Sequence, residues 1–173
     1  SNGVAAQGTM AVSTGKWYWE IDATTVGGNY GAVGIRLETL QGTDGAGYFY
    51  TSVGQKSTDV YSGSVAAYGN SYTSGDKIGV ALDLTNGKIW FAKNGTWQAS
   101  GDPVAGTNAA YTGLSGMFSA CVGDGQNSTA YSWDANFGQR SSGFSYTPPS
   151  GFLALNTQNL PTPTIKKPGT YFN

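Results

Sequence analysis

The stretch GDKIGVALDLTNGKIWFAKNG, residues 75–95, decides the fold class. Every second side chain from Ile78 to Leu84 is apolar, which is the pattern of a half-buried β-strand. The second half repeats this alternation with Ile89 and Phe91. An Asn-Gly pair, residues 86–87, separates the halves and predicts a tight hairpin with a type I′ turn, whose two central residues need positive φ.

Two side chains of this hairpin alternate away from its apolar face. Trp90 points away from Ile89 and Phe91, so we expect it to pack on the second sheet, at an inter-sheet edge or against a partner. Asp83 points away from Leu82, and we expect it to be a structural acid that is hydrogen-bonded to backbone or to a nearby hydroxyl. A second Asn-Gly pair, residues 94–95, predicts that the chain turns again.

Similar strand signals recur along the rest of the chain. Residues 16–24 (KWYWEIDAT) place Trp17, Trp19 and Ile21 on one face and acids on the other. Further strands are predicted at residues 31–37, 47–52, 58–62, 117–122 and 129–137. Because turn residues join these runs and no helical period is visible, an all-β fold of antiparallel sheets is predicted, either a sandwich or a barrel.

The composition limits the function. The chain has 173 residues, which suits one domain, and its net charge of −1 with no basic stripe argues against nucleic-acid binding. It contains no histidine, which excludes catalysis by an imidazole base, and the single Cys121 is expected to be a small buried hydrophobe.

No cofactor or metal motif is visible in the sequence. No apolar run approaches the ~20 residues of a membrane span, and residues 1–15 show no signal peptide.

The composition changes towards the C-terminus. Residues 152–155 (FLAL) form a last apolar run that is expected to dock on the core, so the folded domain is predicted to be residues 1–155. Residues 156–173 contain Pro161, Pro163 and Pro168 and few groups to bury. We predict that this segment is an extended linker with few core contacts, leading to a following module.

The order of motifs GKWYWEID, GAVGI, VYSG, GDKIGVALDLTNGKIWFAKNG and DANFGQ resembles the SPRY domain, from about Thr9 to Leu155. The stretches NFGQR, FSYTPPSGF and LNTQNLP, between Asn136 and Pro161, are similar to the bacteriophage and prophage branch of the family. The resemblance implies a sandwich of two bent antiparallel sheets, similar to the concanavalin-type lectins. It also implies a non-catalytic module of a virion protein, tail-associated or otherwise structural, made in the bacterial cytoplasm and binding a protein partner or host surface through rim loops.

The resemblance also implies a binding rim. In SPRY domains that hold peptides, a Tyr before a small turn and the loop after an SA-x-x-G strand line the pocket. These positions correspond to Tyr61 and to Val122, Gly123 and Asp124, although Val122 stands where a Trp is often found. The following loop is rich in Gly, Ser and Asn, a composition typical of adaptable binding surfaces. Its tyrosines are interpreted either as surface groups or as groups that pack within the loops. The predicted extension of the rim consists of Tyr68 and Tyr72.

Two alternative functions remain at this point. The many Tyr and Trp residues suit a carbohydrate-binding module that stacks aromatic rings on host glycans. A glycoside hydrolase needs two correctly placed carboxylates, and Glu20 and Asp22 share one strand face. The third acid of the related E-x-D-x-x-E strand is missing, because Thr25 occupies its position. The competing interpretation is that both acids are solvated or hydrogen-bonded beside neighbouring strands.

Overall fold

The computed structural model describes residues 4–39, 46–60, 65–125 and 130–160. In this part the chain forms strands and no α-helix, apart from one 3₁₀ turn at Gln98–Ser100. In chain order the strands are β1 (Val4–Val12), β2 (Lys16–Val26), β3 (Gly31–Leu37), β4 (Ala46–Thr51), β5 (Gln55–Asp59), β6 (Val65–Ala67), β7 (Lys77–Asp83), β8 (Lys88–Lys93), β9 (Thr96–Trp97), β10 (Tyr111–Thr112), β11 (Phe118–Asp124), β12 (Tyr131–Asn136) and β13 (Leu153–Ala154).

The strands form two sheets that pack face to face. The first sheet has the order β1-β11-β3-β4-β5-β6, and the second has the order β10-β8-β7-β2-β12. The short strands β9 and β13 pair with β8 and β2. Every pairing is antiparallel except that of β13 with β2. The predicted sandwich of antiparallel sheets is therefore confirmed.

The β7–β8 hairpin is confirmed, but its predicted turn type is wrong. Asp83 pairs with Lys88, so the loop has four residues, and of these only Gly87 has positive φ. The Asp83 carboxylate closes this loop by accepting hydrogen bonds from the backbone N–H and the side-chain amide of Asn86, at 3.0 and 2.8 Å. This side-chain bridge satisfies the loop without a type I′ turn, which agrees with the structural role predicted for Asp83.

The two-residue turn occurs at the next Asn-Gly pair. Lys93 pairs with Thr96, and the two residues between them, Asn94 and Gly95, have φ values of 48° and 79°. Both central residues thus adopt the positive φ that a type I′ hairpin requires. The Asn94 side chain stabilises this turn by accepting a 2.8 Å hydrogen bond from Lys77 N–H.

The main core lies between the two sheets. The alternating residues predicted from β2, β7 and β8 are all buried in it, and Trp19, Ile78, Val80, Ile89 and Phe91 are fully inaccessible to solvent. β3, β4 and β11 supply the opposite side, with Val33, Ile35, Tyr50, Phe118 and Ala120. Burial of this continuous apolar layer is the main stabilising contribution to the sandwich.

Each sheet also carries a smaller apolar cluster on its outer face. On the second sheet, Tyr18, Ala81 and Trp90 are covered by Phe152, whose ring centroid lies 6.5 Å from that of Trp90. Trp90 therefore packs on the outer face of its own sheet, under a C-terminal segment, and its indole N–H donates to Thr107 O at 2.7 Å. On the first sheet, Cys121 is buried in the outer cluster as expected for a small hydrophobe, and burial raises the pKa of its thiol to about 12.

The first strand was not recognised in the sequence. β1 pairs with β11 from Val4 to Gln7 and again from Ala11 to Val12, with a bulge between these stretches. Its small and polar residues give no clear alternation, because a bulge changes which face each side chain takes. β6, β9 and β10 were also missed, since two or three residues are too few for a periodic signal.

The C-terminal part of the described chain packs on the sandwich. Phe152 and Leu155 are buried, which confirms the predicted docking of the last apolar run. Packing continues beyond the predicted boundary, because Leu160 is half-buried against the main core and the Asn156 amide donates to Phe137 O at 3.3 Å. Residues 156–160 thus contact the sandwich through Leu160 and Asn156. The remaining linker residues, 161–173, lie outside the described residues.

Candidate functional site: a rim patch at one end of the sandwich

Four chain segments meet at the end of the first sheet where β11 finishes. A Cβ atom added to Gly123 would lie 2.6 Å from Val60 Cγ2 and 2.8 Å from Val4 O, and one on Gly125 would lie 2.9 Å from Val60 O and 3.2 Å from the Tyr30 ring. Only glycine allows the segments to approach so closely. We define the rim patch as Val4, Tyr30, Val60 and residues 123–125.

The rim patch presents apolar groups to solvent. Tyr30 is 44% exposed and Val4 is 63% exposed, whereas Val60 between the glycines is only 6% exposed. Large exposed apolar side chains that surround a well-packed centre are typical of protein-binding surfaces. The half-buried Asp124 adds one carboxylate to this surface.

Tyr131 and Trp133 form an aromatic pair that supports the backbone of Tyr30. The Tyr131 hydroxyl accepts a 3.0 Å hydrogen bond from Tyr30 N–H, and Tyr30 O accepts one of 3.1 Å from Gly125 N–H. The Tyr131 ring stacks on Trp133 with 6.3 Å between centroids, and the two rings pack against Gly31, where a Cβ would lie 3.0 Å from Tyr131. The exposed ring is therefore carried by a preorganised backbone, which lowers the entropic cost of binding.

The structure brings several of the predicted rim residues together. Gly123 and Asp124 belong to the rim patch, and the half-buried Val122 packs against the main core directly before them. Tyr61 lies outside the described residues, but Val60, the residue before it, is in the patch.

Tyr68 and Tyr72 do not lie on the surface, so the expectation that they extend an exposed rim is wrong. They are 9% and 3% exposed, and both rings pack against Tyr50, with centroids 5.7 and 5.3 Å apart. The Tyr72 hydroxyl donates to Gly31 O at 3.1 Å, and the Tyr68 hydroxyl accepts from Phe91 N–H at 3.4 Å. The polar composition of the loop did not predict the burial of these two rings. The rings point into the core, where their hydroxyls form hydrogen bonds with backbone groups.

Tyr30 and Val4 are site residues that the sequence analysis missed. Tyr30 follows the turn sequence Gly27-Gly28-Asn29. An aromatic residue beside such a turn is a sequence feature that could have identified Tyr30 as an exposed binding group. Val4 carried no signal, because it becomes part of the site only through the pairing of β1 with β11, in which it stands opposite Asp124.

The strand acids considered for catalysis are structural. Glu20 is fully buried, and its carboxylate accepts hydrogen bonds from Ser145 N–H at 2.9 Å, Tyr146 N–H at 2.8 Å and the Tyr18 hydroxyl at 3.1 Å. Asp22 forms ion pairs with Lys77 and Arg140. Glu20 is thus inaccessible to a polysaccharide, and the interpretation of both acids as hydrogen-bonded beside neighbouring strands is confirmed.

Asp83 is also a structural acid, held by hydrogen bonds and an ion pair. Burial by itself raises the pKa of Asp83, but the hydrogen bonds from Asn86 and the Lys16 ammonium at 3.3 Å together hold the pKa below its usual value.

Within the four described ranges, no group of three or more metal-ligating side chains is close enough to hold a metal ion. No helix in this part of the chain has the length and apolarity of a membrane span.

Buried tyrosines predict a loss of stability at alkaline pH. Burial raises the pKa of Tyr68 to about 12, and it raises the pKa values of Tyr50, Tyr72 and Tyr111 above the ordinary tyrosine value. In the unfolded chain these tyrosines ionise at a lower pH than in the folded domain. The contribution of the buried, neutral tyrosines to the free energy of unfolding is therefore fully present below about pH 10 and is lost as the pH rises towards 12.

Denaturant unfolding measured across this range tests the expectation. The free energy of unfolding should be nearly constant from about pH 6 to about pH 8, because the chain has no histidine, and should fall steeply above about pH 10. Ultraviolet absorbance should show the buried phenolates forming together with unfolding. Their ionisation near pH 10 in an intact fold would contradict the burial described above.

Two packed antiparallel sheets with loops at their ends define the class of β-sandwich domains. The family model for the SPRY domain matches residues 16–140. The chain therefore belongs to the SPRY domain family, whose members are generally non-catalytic protein–protein interaction modules. The chain is also similar to the crystal structure of the SPRY domain of human HERC1, with a TM-score of 0.62 and 16% sequence identity over 81% of this chain and 86% of that chain. That likeness concerns the fold alone.

Proposed function

We propose that this chain is a non-catalytic binding or structural module of a bacteriophage virion protein, tail-associated or otherwise structural. It engages a protein partner, either another virion module or a host surface protein, through the rim patch. The observation that carries the proposal is the pair of exposed apolar side chains, Tyr30 and Val4, beside the tightly packed glycines 123 and 125. A rigid aromatic group on a fixed backbone is the usual anchor of such a contact.

The phage assignment is supported by the similarity of the sequence between Asn136 and Pro161 to the bacteriophage and prophage branch of the SPRY family. Under this proposal, the protein is made in the bacterial cytoplasm and then becomes part of the phage particle. Detection of the chain in purified virions by mass spectrometry tests this assignment, and its absence from virions of a phage that expresses it would contradict it.

The binding role is tested with a fluorescently labelled domain as the probe. Its affinity is measured for intact host cells and for the separated proteins of the virion. Tyr30→Ala is expected to weaken binding at least tenfold, because truncation of an aromatic anchor typically costs ~2 kcal/mol or more. The same loss is predicted for Tyr61→Ala. The fold should survive in both variants, as judged by circular dichroism and thermal unfolding.

Met117→Ala is the matched control. Met117 is 48% exposed and precedes β11, at the opposite end of the strand that leads into the rim patch. Its truncation should leave the affinity unchanged. Full affinity in both tyrosine variants, or an equal loss in Met117→Ala, would exclude the rim patch as the interface.

A second candidate function is glycan binding at a polar groove. The groove has a volume of about 490 Å³ and lies between residues 67–70 and 96–100. Trp97 supplies an aromatic group to its lining, and Asn70 and Ser100 supply hydrogen-bonding groups, a combination suited to a sugar ring. A glycan array distinguishes the two functions. Glycan binding that is lost in Trp97→Ala but retained in Tyr30→Ala would favour this groove over the rim patch.

A further inference from the structure

The C-terminal strap, defined as residues 144–160, crosses the outer face of the second sheet. It lies beyond the part that the family model matches, which ends at residue 140. Its only regular element is the two-residue strand β13, which makes the sole parallel pairing among the described strands. In the second sheet β13 pairs with Trp17 and Tyr18 of β2, whereas β12 pairs with β2 from Glu20 to Val26. The strap therefore extends one edge of the sheet, beside the pairings of β2 with β7 and β12.

One buried carboxylate holds the start of the strap. Glu20 in β2 accepts the N–H groups of Ser145 and Tyr146, and no part of Glu20 is exposed. Consecutive backbone N–H groups that converge on one carboxylate make strong, charge-assisted hydrogen bonds. The attachment at this end therefore depends largely on a single side chain of the sandwich.

A few apolar side chains attach the rest of the strap. Phe144 packs edge-to-face on Tyr18 with ring centroids 5.0 Å apart, and Phe152 does the same on Trp90 at 6.5 Å. Leu155 is buried in the main core, and its N–H donates to Tyr18 O at 3.1 Å. The residues between these anchors include two half-buried prolines, 148 and 149, which have no N–H group to donate to a ladder.

We propose that the strap is a latch that opens as one unit while the two sheets remain folded. Closed, it covers Tyr18 and Trp90 and keeps Leu160 at the sandwich surface. Open, it exposes the outer apolar cluster of the second sheet and frees residues 144–160, which can extend by about 55 Å. Native proteins generally open in separate cooperative units, at free energies below that of global unfolding.

Native-state hydrogen exchange of the full chain tests the proposal. The amides of Ser145, Tyr146 and Leu155, all hydrogen-bonded in the closed strap, should exchange at least tenfold faster than the slowest amides of β7. In Glu20→Gln, exchange of the strap amides should accelerate about tenfold or more, because the amide group of glutamine cannot accept both N–H groups as the carboxylate does.

Ile35→Val distinguishes strap opening from global unfolding. Ile35 is fully buried in β3 of the first sheet and is separate from the strap. Its truncation destabilises the whole sandwich, so β7 amides should exchange about fivefold faster, while strap amides keep their wild-type rate. If strap and β7 amides exchange at one common rate in the wild type and accelerate together in Ile35→Val, the strap opens only by global unfolding and the proposal is overturned. Phe144→Leu provides a milder second variant should Glu20→Gln fail to fold.

Discussion

Replacing Gly34 with alanine is expected to prevent stable folding of the domain. Gly34 lies in β3, between β11 and β4 in the first sheet. A Cβ atom at this position would overlap the carbonyl group of Tyr48 and would lie 2.9 Å from Phe49 Cα. Both obstacles are backbone of the neighbouring strand, which cannot rotate away. The strand pair would have to separate, and we expect a loss of more than ~3 kcal/mol, a large part of the stability of an ordinary domain.

Gly8→Ala is the matched control for this substitution. Gly8 lies in the bulge of β1, and a Cβ atom there would have its nearest neighbour, Ala120 O, at 3.5 Å, an ordinary van der Waals contact. Its free energy of unfolding in urea should be within about 1 kcal/mol of the wild-type value. If Gly34→Ala gave soluble protein with the same unfolding midpoint as Gly8→Ala, the close approach of β3 and β4 would be wrong.

Replacing Glu20 with glutamine is expected to have the second-largest effect. The substitution keeps the shape of the side chain but leaves one of two partly buried N–H groups, from Ser145 or Tyr146, without an acceptor. The loss of a hydrogen bond to a charged group, together with a donor left unsatisfied beside the fully buried Glu20 side chain, predicts a loss of about 2–4 kcal/mol in the free energy of unfolding. Urea denaturation followed by tryptophan fluorescence measures this loss.

Asp134→Asn serves as the control for Glu20→Gln. Asp134 is an acid of the neighbouring strand β12, and its side chain is 65% exposed and paired with Arg140 at 2.7 Å. An exposed ion pair contributes little, so removal of this charge should cost less than about 1 kcal/mol. Equal effects of the two substitutions would show that the burial of Glu20 does not contribute to stability.

The hairpin shows where a local motif predicted the structure and where it did not. The alternation on both sides of Asn86 and Gly87 predicted two paired strands, and that pairing is confirmed. The turn type was wrong because the Asp83 carboxylate binds Asn86 and supports a four-residue loop. A dipeptide signal describes only the residues of the turn, whereas the strand residues that flank it also offer hydrogen bonds.

The tyrosines of the 67–74 loop show a different limit. Composition made Tyr68 and Tyr72 candidates for a binding surface, and the structure buries both against Tyr50. Composition reports that a loop can bind, but it does not report the direction of each ring. The direction of each ring depends on whether the side chain can reach an apolar space between the sheets. Here that space lies beside Tyr50 and Phe91.

The sequence by itself determined the all-β class, the faces of β2, β7 and β8, the membership of the SPRY family by its motifs, and the unsuitability of the chain for imidazole chemistry. These properties follow from the period of two along a strand and from the residue types present, and both are local. Only the tertiary structure placed Val4 beside Gly123 and Tyr30 beside Gly125, and only it showed that Glu20 accepts hydrogen bonds from Ser145 and Tyr146. These contacts join residues about a hundred positions apart in the chain, and the order of strands in the sheets, which no local pattern encodes, brings them together.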